Sequence, residues 1–221
     1  MGRDTPSIIY GGQEDYRRLY YSDPMAARKV QGSIMAGYGV LKMGTAMAKN
    51  GSAAGSVGKL IPYDPSAVTG AEVAPARAYL VASTGGATDT LYVTLAESYK
   101  FAVGDDVYIN DSVTTLEQLG AITEIDRTTY THMAVITVTT DTGGTSFTTA
   151  RFAYLAVQGG DTCVGILEKS VDTGEGADAQ GADMTLIRGN ATLYAGMLTN
   201  FDAAAITDLS ATSWGQYAEL I

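Results

Sequence analysis

The chain has one cysteine, one histidine and one tryptophan in 221 residues. With Cys163 alone, no intrachain disulfide can form, so stability has to come from packing and assembly. Cys163 lies in the apolar run Cys163-Val164-Gly165-Ile166-Leu167 and reads as a buried core residue. His132 is the one imidazole around which a Ser-His-Asp relay or a histidine metal site would have to be built. It stands in Tyr130-Thr131-His132-Met133, at the start of a strand candidate, and reads as an ordinary strand or surface residue. The nucleophile-elbow pattern Gly-x-Ser-x-Gly and the zinc-protease pattern His-Glu-x-x-His do not occur. Neither do the glycine spacings that cradle phosphates. The chain therefore reads as a non-enzyme with no cofactor and no metal. No apolar run approaches the roughly 20 residues that span a bilayer. Arg3, Asp4, Glu14, Asp15, Arg17 and Arg18 break up the start, so neither a secretion signal nor a membrane partner is expected.

Charge is also scarce. Asp, Glu, Lys and Arg make up 17% of the chain, against about 25% in an average soluble domain. What charge there is divides unevenly. Residues 1–50 hold seven Lys/Arg and four Asp/Glu, and residues 51–221 hold seven and twenty, within a net charge of −10. An acidic body repels phosphate backbones, so no nucleic-acid partner is expected. The basic N-terminal stretch suits an acidic protein surface instead.

Residues 1–32 have no sustained periodicity but carry many tyrosines. They read as an extended N-terminal arm that orders on a partner. Tyr10, Tyr16, Arg17, Arg18, Tyr20 and Tyr21 are its candidate anchors. Downstream, Asn50-Gly51 signals a turn through positive φ, between short strands at 45–48 and 59–63. Gly37, Gly39 and Gly44 point to bulges or close backbone approach. Residues 70–157 change style. Strand candidates are 78–82, 91–95, 106–109, 120–125, 133–139 and 147–155, separated by turn signals such as Gly85-Gly86, Gly104-Asp105 and Asp141 to Gly144. Closely spaced short strands predict a small barrel or sandwich. Asp105, Asp106 and Asp111 read as a solvated cluster at strand ends, and so does the acidic loop of Asp172, Glu175, Asp178 and Asp183. After residue 158 come strands at 163–168, 184–188 and 191–197. Asp202 is placed to cap a short helix through Asp208. Trp214 and Tyr217 near the end suit docking.

Two separated segments together resemble the lambda-like bacteriophage head decoration family. The first is Gly39-Val40-Leu41-Lys42-Met43-Gly44-Thr45-Ala46-Met47-Ala48, followed by Lys59-Leu60-Ile61-Pro62-Tyr63-Asp64. It matches a short strand, a Gly-Thr step, a turn, and a strand ending near a Pro/Tyr pair. The second is Val164-Gly165-Ile166-Leu167, Val171-Asp172, the Gly/Asp/Ala loop and Leu186-Ile187-Arg188-Gly189. The resemblance covers about two fifths of the chain and skips residues 70–157. It implies a mainly β, β-clip-like core with a short C-terminal helix, formed by residues 33–69 and 158–221. Residues 70–157 would then be an inserted small β-barrel or sandwich domain, separable from that core. It also implies a homotrimer on the outer surface of the expanded capsid. There it would bind the major capsid protein at local three-fold positions and stabilise the shell. Pro62, Tyr63, Ile166, Leu167, Trp214 and Tyr217 are the expected trimer and core contacts. The alternative is an adhesion or glycan-binding module with the insert as its binding domain.

Overall fold

The computed structural model describes residues 19–51, 58–64, 77–111, 116–211 and 218–220. Within these residues the protein is mainly β, as composition and turn spacing predict. The chain enters through Leu19 and Tyr20, turns at Asp23–Ala26, and forms β1 (Arg28–Ile34). The short β2 (Val40–Leu41) follows, then β3 (Ala46–Lys49) and β4 (Leu60–Pro62). Next come β5 (Arg77–Tyr79) and β6 (Thr90–Thr94), a single helical turn α1 (Leu95–Ser98), β7 (Asp106–Asn110), β8 (Glu117–Asp126), β9 (Met133–Val138) and β10 (Tyr154–Val157). The chain then continues through β11 (Cys163–Leu167), β12 (Val171–Asp172), β13 (Ala182–Gly189) and β14 (Ala191–Leu193) to helix α2 (Ala203–Ala211) and β15 (Ala218–Leu220).

Five strands close a barrel in the order β1-β13-β11-β3-β4. Every β1, β3 and β4 residue precedes residue 63, and every β11 and β13 residue follows residue 162, so this barrel is discontinuous in sequence. A second sheet, of order β5-β10-β7-β8-β9-β6, comes from residues 77–157 alone. An isolated bridge from Leu80 to Val93 links its two edges. Its strands alternate as half-buried strands should: β6 reads intermediate-buried-intermediate-buried-intermediate, and so does the start of β9. The expected 147–155 strand begins only at Tyr154. A 3-10 turn at Thr149–Arg151 and left-handed Phe152 (φ 56) break it.

Glycine supplies the close approaches that the sequence signals. At Gly44 (φ 85) a Cβ would lie 2.0 Å from the Met197 carbonyl oxygen. The Asn50-Gly51 turn is longer than expected. The Asn50 carbonyl accepts from Gly58 N–H, and among the described residues of this connection positive φ falls at Gly58 (φ 75) and not at Asn50 or Gly51. Asp202 caps α2 as expected, its Oδ1 accepting from Ala205 N–H at 2.8 Å.

The barrel and the sheet share one hydrophobic core. Ile34, Met35, Leu60, Ile61 and Leu186 of the barrel side belong to the same buried cluster as Leu91, Val107, Ile109, Ile136 and Phe147 of the sheet side. A smaller cluster of Leu19, Tyr20, Met43, Ile166, Ile187, Ala191 and Leu193 lies on the other side of the barrel wall, because Ile166 and Ile187 alternate with the inward Leu167 and Leu186.

Candidate protein-contact surfaces

The N-terminal segment joins the fold earlier than the sequence suggests. A boundary at residue 32 falls inside β1, which pairs with β13 from Arg28 onward. Tyr20 is not an exposed anchor. It is 5% exposed, bridges to Leu193, and donates its hydroxyl to Glu168 Oε1 at 3.0 Å. Lys29 Nζ reaches the same carboxylate at 2.5 Å and sits 5.7 Å from the Tyr20 ring. The apolar neighbours Leu19, Ile187 and Leu193 draw this tyrosine inward, while its neighbour Tyr21 faces solvent, 62% exposed. The Tyr21 ring packs edge-on against Tyr194 at 5.7 Å, with Tyr194 itself partly exposed. Met25, in the following turn, is 90% exposed. Tyr10, Tyr16, Arg17 and Arg18 lie outside the described residues, and so do Trp214 and Tyr217.

Of the expected trimer and core contacts, the four that are described are interior residues of a single chain. Pro62 is buried in β4 opposite Met47, and Tyr63, Ile166 and Leu167 are at most 4% exposed. A side chain already buried in its own chain has no area left to offer a neighbour. Tyr63 donates its hydroxyl to Asp202 Oδ1 at 3.0 Å, and its carbonyl accepts from Asn200 Nδ2 at 3.3 Å. Desolvation and the Asp202 hydrogen bond both push its ionisation above the usual phenol range. These four residues hold the barrel together and fix α2 against it.

The acidic groups of the insert also differ from expectation. Asp105 is fully buried and Asp111 nearly so. Asp105 Oδ2 accepts from Ala102 N–H at 2.8 Å, and Oδ1 accepts from Asn50 Nδ2 at 3.0 Å. These donors satisfy the buried carboxylate, and the Gly104-Asp105 turn becomes a bolt between sheet and barrel. Three further contacts cross the same seam. Tyr38 donates its hydroxyl to the Lys100 carbonyl at 3.3 Å, and Gly37 packs on the Tyr99 and Lys100 backbone. Asp64, just after β4, pairs with Arg77 of β5, both nearly fully buried. Arg77 also stacks 4.5 Å from the Tyr154 ring, and its carbonyl accepts from Lys100 Nζ at 2.9 Å. Burial lowers the Lys100 pKa, partly offset by Glu97. Sequence reasoning missed this seam because its partners lie 13 to 62 residues apart and none forms a local pattern. Its effect is mechanical: residues 77–157 are bolted to the barrel rather than tethered to it.

His132 is exposed, and its carbonyl accepts from Leu95 N–H at 3.0 Å. Cys163 is buried, as its apolar run implies, and its N–H donates to Asp208 Oδ2 at 2.8 Å. In the Gly/Asp/Ala loop, Asp172 Oδ1 accepts from Gly174 N–H at 2.9 Å. No group of three or more metal-ligating side chains occurs among the described residues. What the surface offers is exposed apolar area at the Tyr21–Tyr194 pair and at Met25, and a cleft in the barrel. The cleft has a volume of about 100 Å³ and is lined by residues of all five barrel strands, among them Val30, Lys49, Leu60, Val164 and Leu186. No protein family, no curated protein and no solved structure matches the chain.

Proposed function

We propose that this protein is a head decoration protein of a tailed bacteriophage, a trimer that binds the outside of the expanded capsid and stabilises it. The support is topological. The two stretches that resemble the decoration family, residues 33–66 and 158–209, contain β3, β4, β11 and β13, four of the five strands of one closed barrel. Residues that resemble one family's two motifs meet in a single body, with the insert's sheet attached at one seam.

The mechanism follows from linkage. A ligand that binds only the expanded shell stabilises that state by RT ln(1 + [L]/Kd) at each site. Docking by exposed apolar groups gives this binding energy without chemistry, and the edge-on pair Tyr21–Tyr194 and the exposed Met25 are such groups. Co-sedimentation with expanded and unexpanded heads stripped of decoration protein tests the proposal, together with native mass measurement. Saturable binding to expanded heads alone, by three copies of the 23.1-kDa chain per site, is the expected result. A monomer that ignores both kinds of head refutes it.

A further inference from the structure

The seam between barrel and sheet holds a cavity as well as polar contacts. The cavity measures about 150 Å³. The barrel side lines it with Gly37, Tyr38 and Glu175, and the insert lines it with Ala96, Glu97 and Lys100, in and just after α1. Ala96 and Glu175 are exposed, so the cavity reaches solvent. Lys100 is not exposed, its side chain keeping only 8% of its accessible area.

A buried ammonium ordinarily meets an acceptor for each of its three donors. Lys100 meets fewer among the described residues. Its Nζ donates to the Arg77 carbonyl at 2.9 Å and lies 3.6 Å from Glu97 Oε1, beyond ordinary hydrogen-bond length. The other Glu97 oxygen accepts from Thr94 Oγ1 at 3.0 Å. Burial lowers the Lys100 pKa, Glu97 and Glu175 oppose the shift, and the Arg77 charge adds to it. Desolvation beside a second cation is the setting in which a lysine amine becomes a nucleophile near neutral pH.

The surroundings suit one reaction. An amine nitrogen that bonds to an aldehyde carbon gives a carbinolamine. The former carbonyl oxygen then leaves as water, taking up the two protons that the nitrogen loses, and an imine remains. No oxidant or reductant is needed. The proton transfers call for an acid–base group within reach of the nitrogen, and the Glu97 carboxylate is one. Protonation of the imine makes a cation, which the Glu97 and Glu175 charges favour and which an anionic aldehyde would not reach as readily. A cavity of about 150 Å³ takes a molecule of a few heavy atoms.

We propose that Lys100 forms a Schiff base with a small uncharged aliphatic aldehyde held in the seam cavity, with Glu97 passing the protons. The site stands apart from the capsid reading and does not depend on it.

The test is reductive trapping. The full-length protein is incubated with dilute propanal and sodium cyanoborohydride near neutral pH, and alkylated lysines are followed over time by peptide mass mapping. Lys100 is expected to react roughly tenfold faster, or more, than the exposed Lys42, Lys49 and Lys59, as an amine with a pKa lowered by a unit would. Ala96→Leu, a change at an exposed position of the cavity wall, should slow Lys100 to the rate of those three lysines, leave theirs unchanged and leave the circular dichroism spectrum intact. The proposal is overturned if Lys100 of the native chain reacts no faster than the exposed lysines, whatever the variant does. A Lys100 rate that survives Ala96→Leu would overturn it as well, since the aldehyde would then not arrive through the cavity.

Discussion

The discontinuous barrel and the contiguous six-stranded sheet reach similar burial by different routes. The sheet is a run of neighbouring antiparallel strands whose side chains alternate in and out, with Thr and Tyr on the outer positions of β6 and Val and Leu on the inner ones. The barrel joins strands more than 100 residues apart and relies on glycine at close approaches. At Gly165 a Cβ would meet the Ile187 carbonyl at 3.1 Å, and at Gly32 it would meet the Leu60 side chain at 2.5 Å. The sheet is therefore specified by local pattern. The barrel is specified by a few long-range fits, at higher loop-closure cost. The seam between them has the character of neither. It is polar and buried, which makes it sensitive to loss of a single partner.

The largest expected effect is at the seam. Asp64→Ala leaves the buried Arg77 guanidinium without its carboxylate, and breaking a buried pair in this way costs about 3–5 kcal/mol. Urea unfolding should show the full loss, with fluorescence and circular dichroism shifting together if both regions depend on the seam. Replacing both partners with apolar residues of similar size should restore much of it.

Next comes the barrel alone. Gly44→Ala forces a side chain into a left-handed conformation and onto the Met197 carbonyl, at a cost on the order of 1–3 kcal/mol. Gly86→Ala is the control in the insert. Gly86 has φ 126 with nothing within 4 Å, so it bears backbone strain but no collision, and the smaller loss at Gly86 isolates the contact.

A smaller effect is expected at the helix that seals the barrel. Asp202→Asn keeps an acceptor for Ala205 N–H, whereas Asp202→Ala removes both that cap and the partner of Tyr63, costing about 1 kcal/mol for the cap. The difference between the two variants in thermal melts measures the cap and the Tyr63 hydrogen bond together.

The pH dependence is the mildest probe. Burial pushes the Cys163 thiol from its ordinary 9.0 up to about 12, and burial raises Tyr38 and Tyr108 beyond the usual phenol range as well. Each raised pKa belongs to a group that is neutral when protonated. Its contribution is complete below the unfolded-state value, and it fades as pH rises from about 9 toward the folded-state value. Stability should be level near pH 8 and decline above pH 9. A disulfide-exchange reagent should leave Cys163 unmodified at pH 8 until urea is added.

The two regions also differ in how legible they are. Five of the six sheet strands fall where alternation and turn residues put them. The exception is the stretch before Tyr154, where Thr149–Arg151 coils and Phe152 turns left-handed. In the barrel, β1 escapes sequence reading because Arg28-Lys29-Val30-Gln31-Gly32-Ser33 shows no apolar face. It lies at an open barrel end where five of its seven residues are exposed. Tyr20 looks like an anchor for another protein until Leu193, 173 positions later, is seen to pair with it. Asp105 looks like a solvated turn residue until Asn50 is brought to it. Each of these misreadings involves a partner remote in sequence, and local pattern holds no information about such partners. That the strands of residues 46–62 pair with those of residues 163–189 is written in no local pattern.

The most direct test of the shared core is differential scanning calorimetry of the full-length chain, compared with the same chain carrying Asn50→Leu and Asp64→Leu in the barrel half of the seam. One cooperative transition is expected for the native chain, with its calorimetric and van't Hoff enthalpies equal, and the double variant should melt lower or split in two. Two separate transitions in the native chain, neither moved by those substitutions, would mean that residues 77–157 fold on their own, contradicting the common core described above.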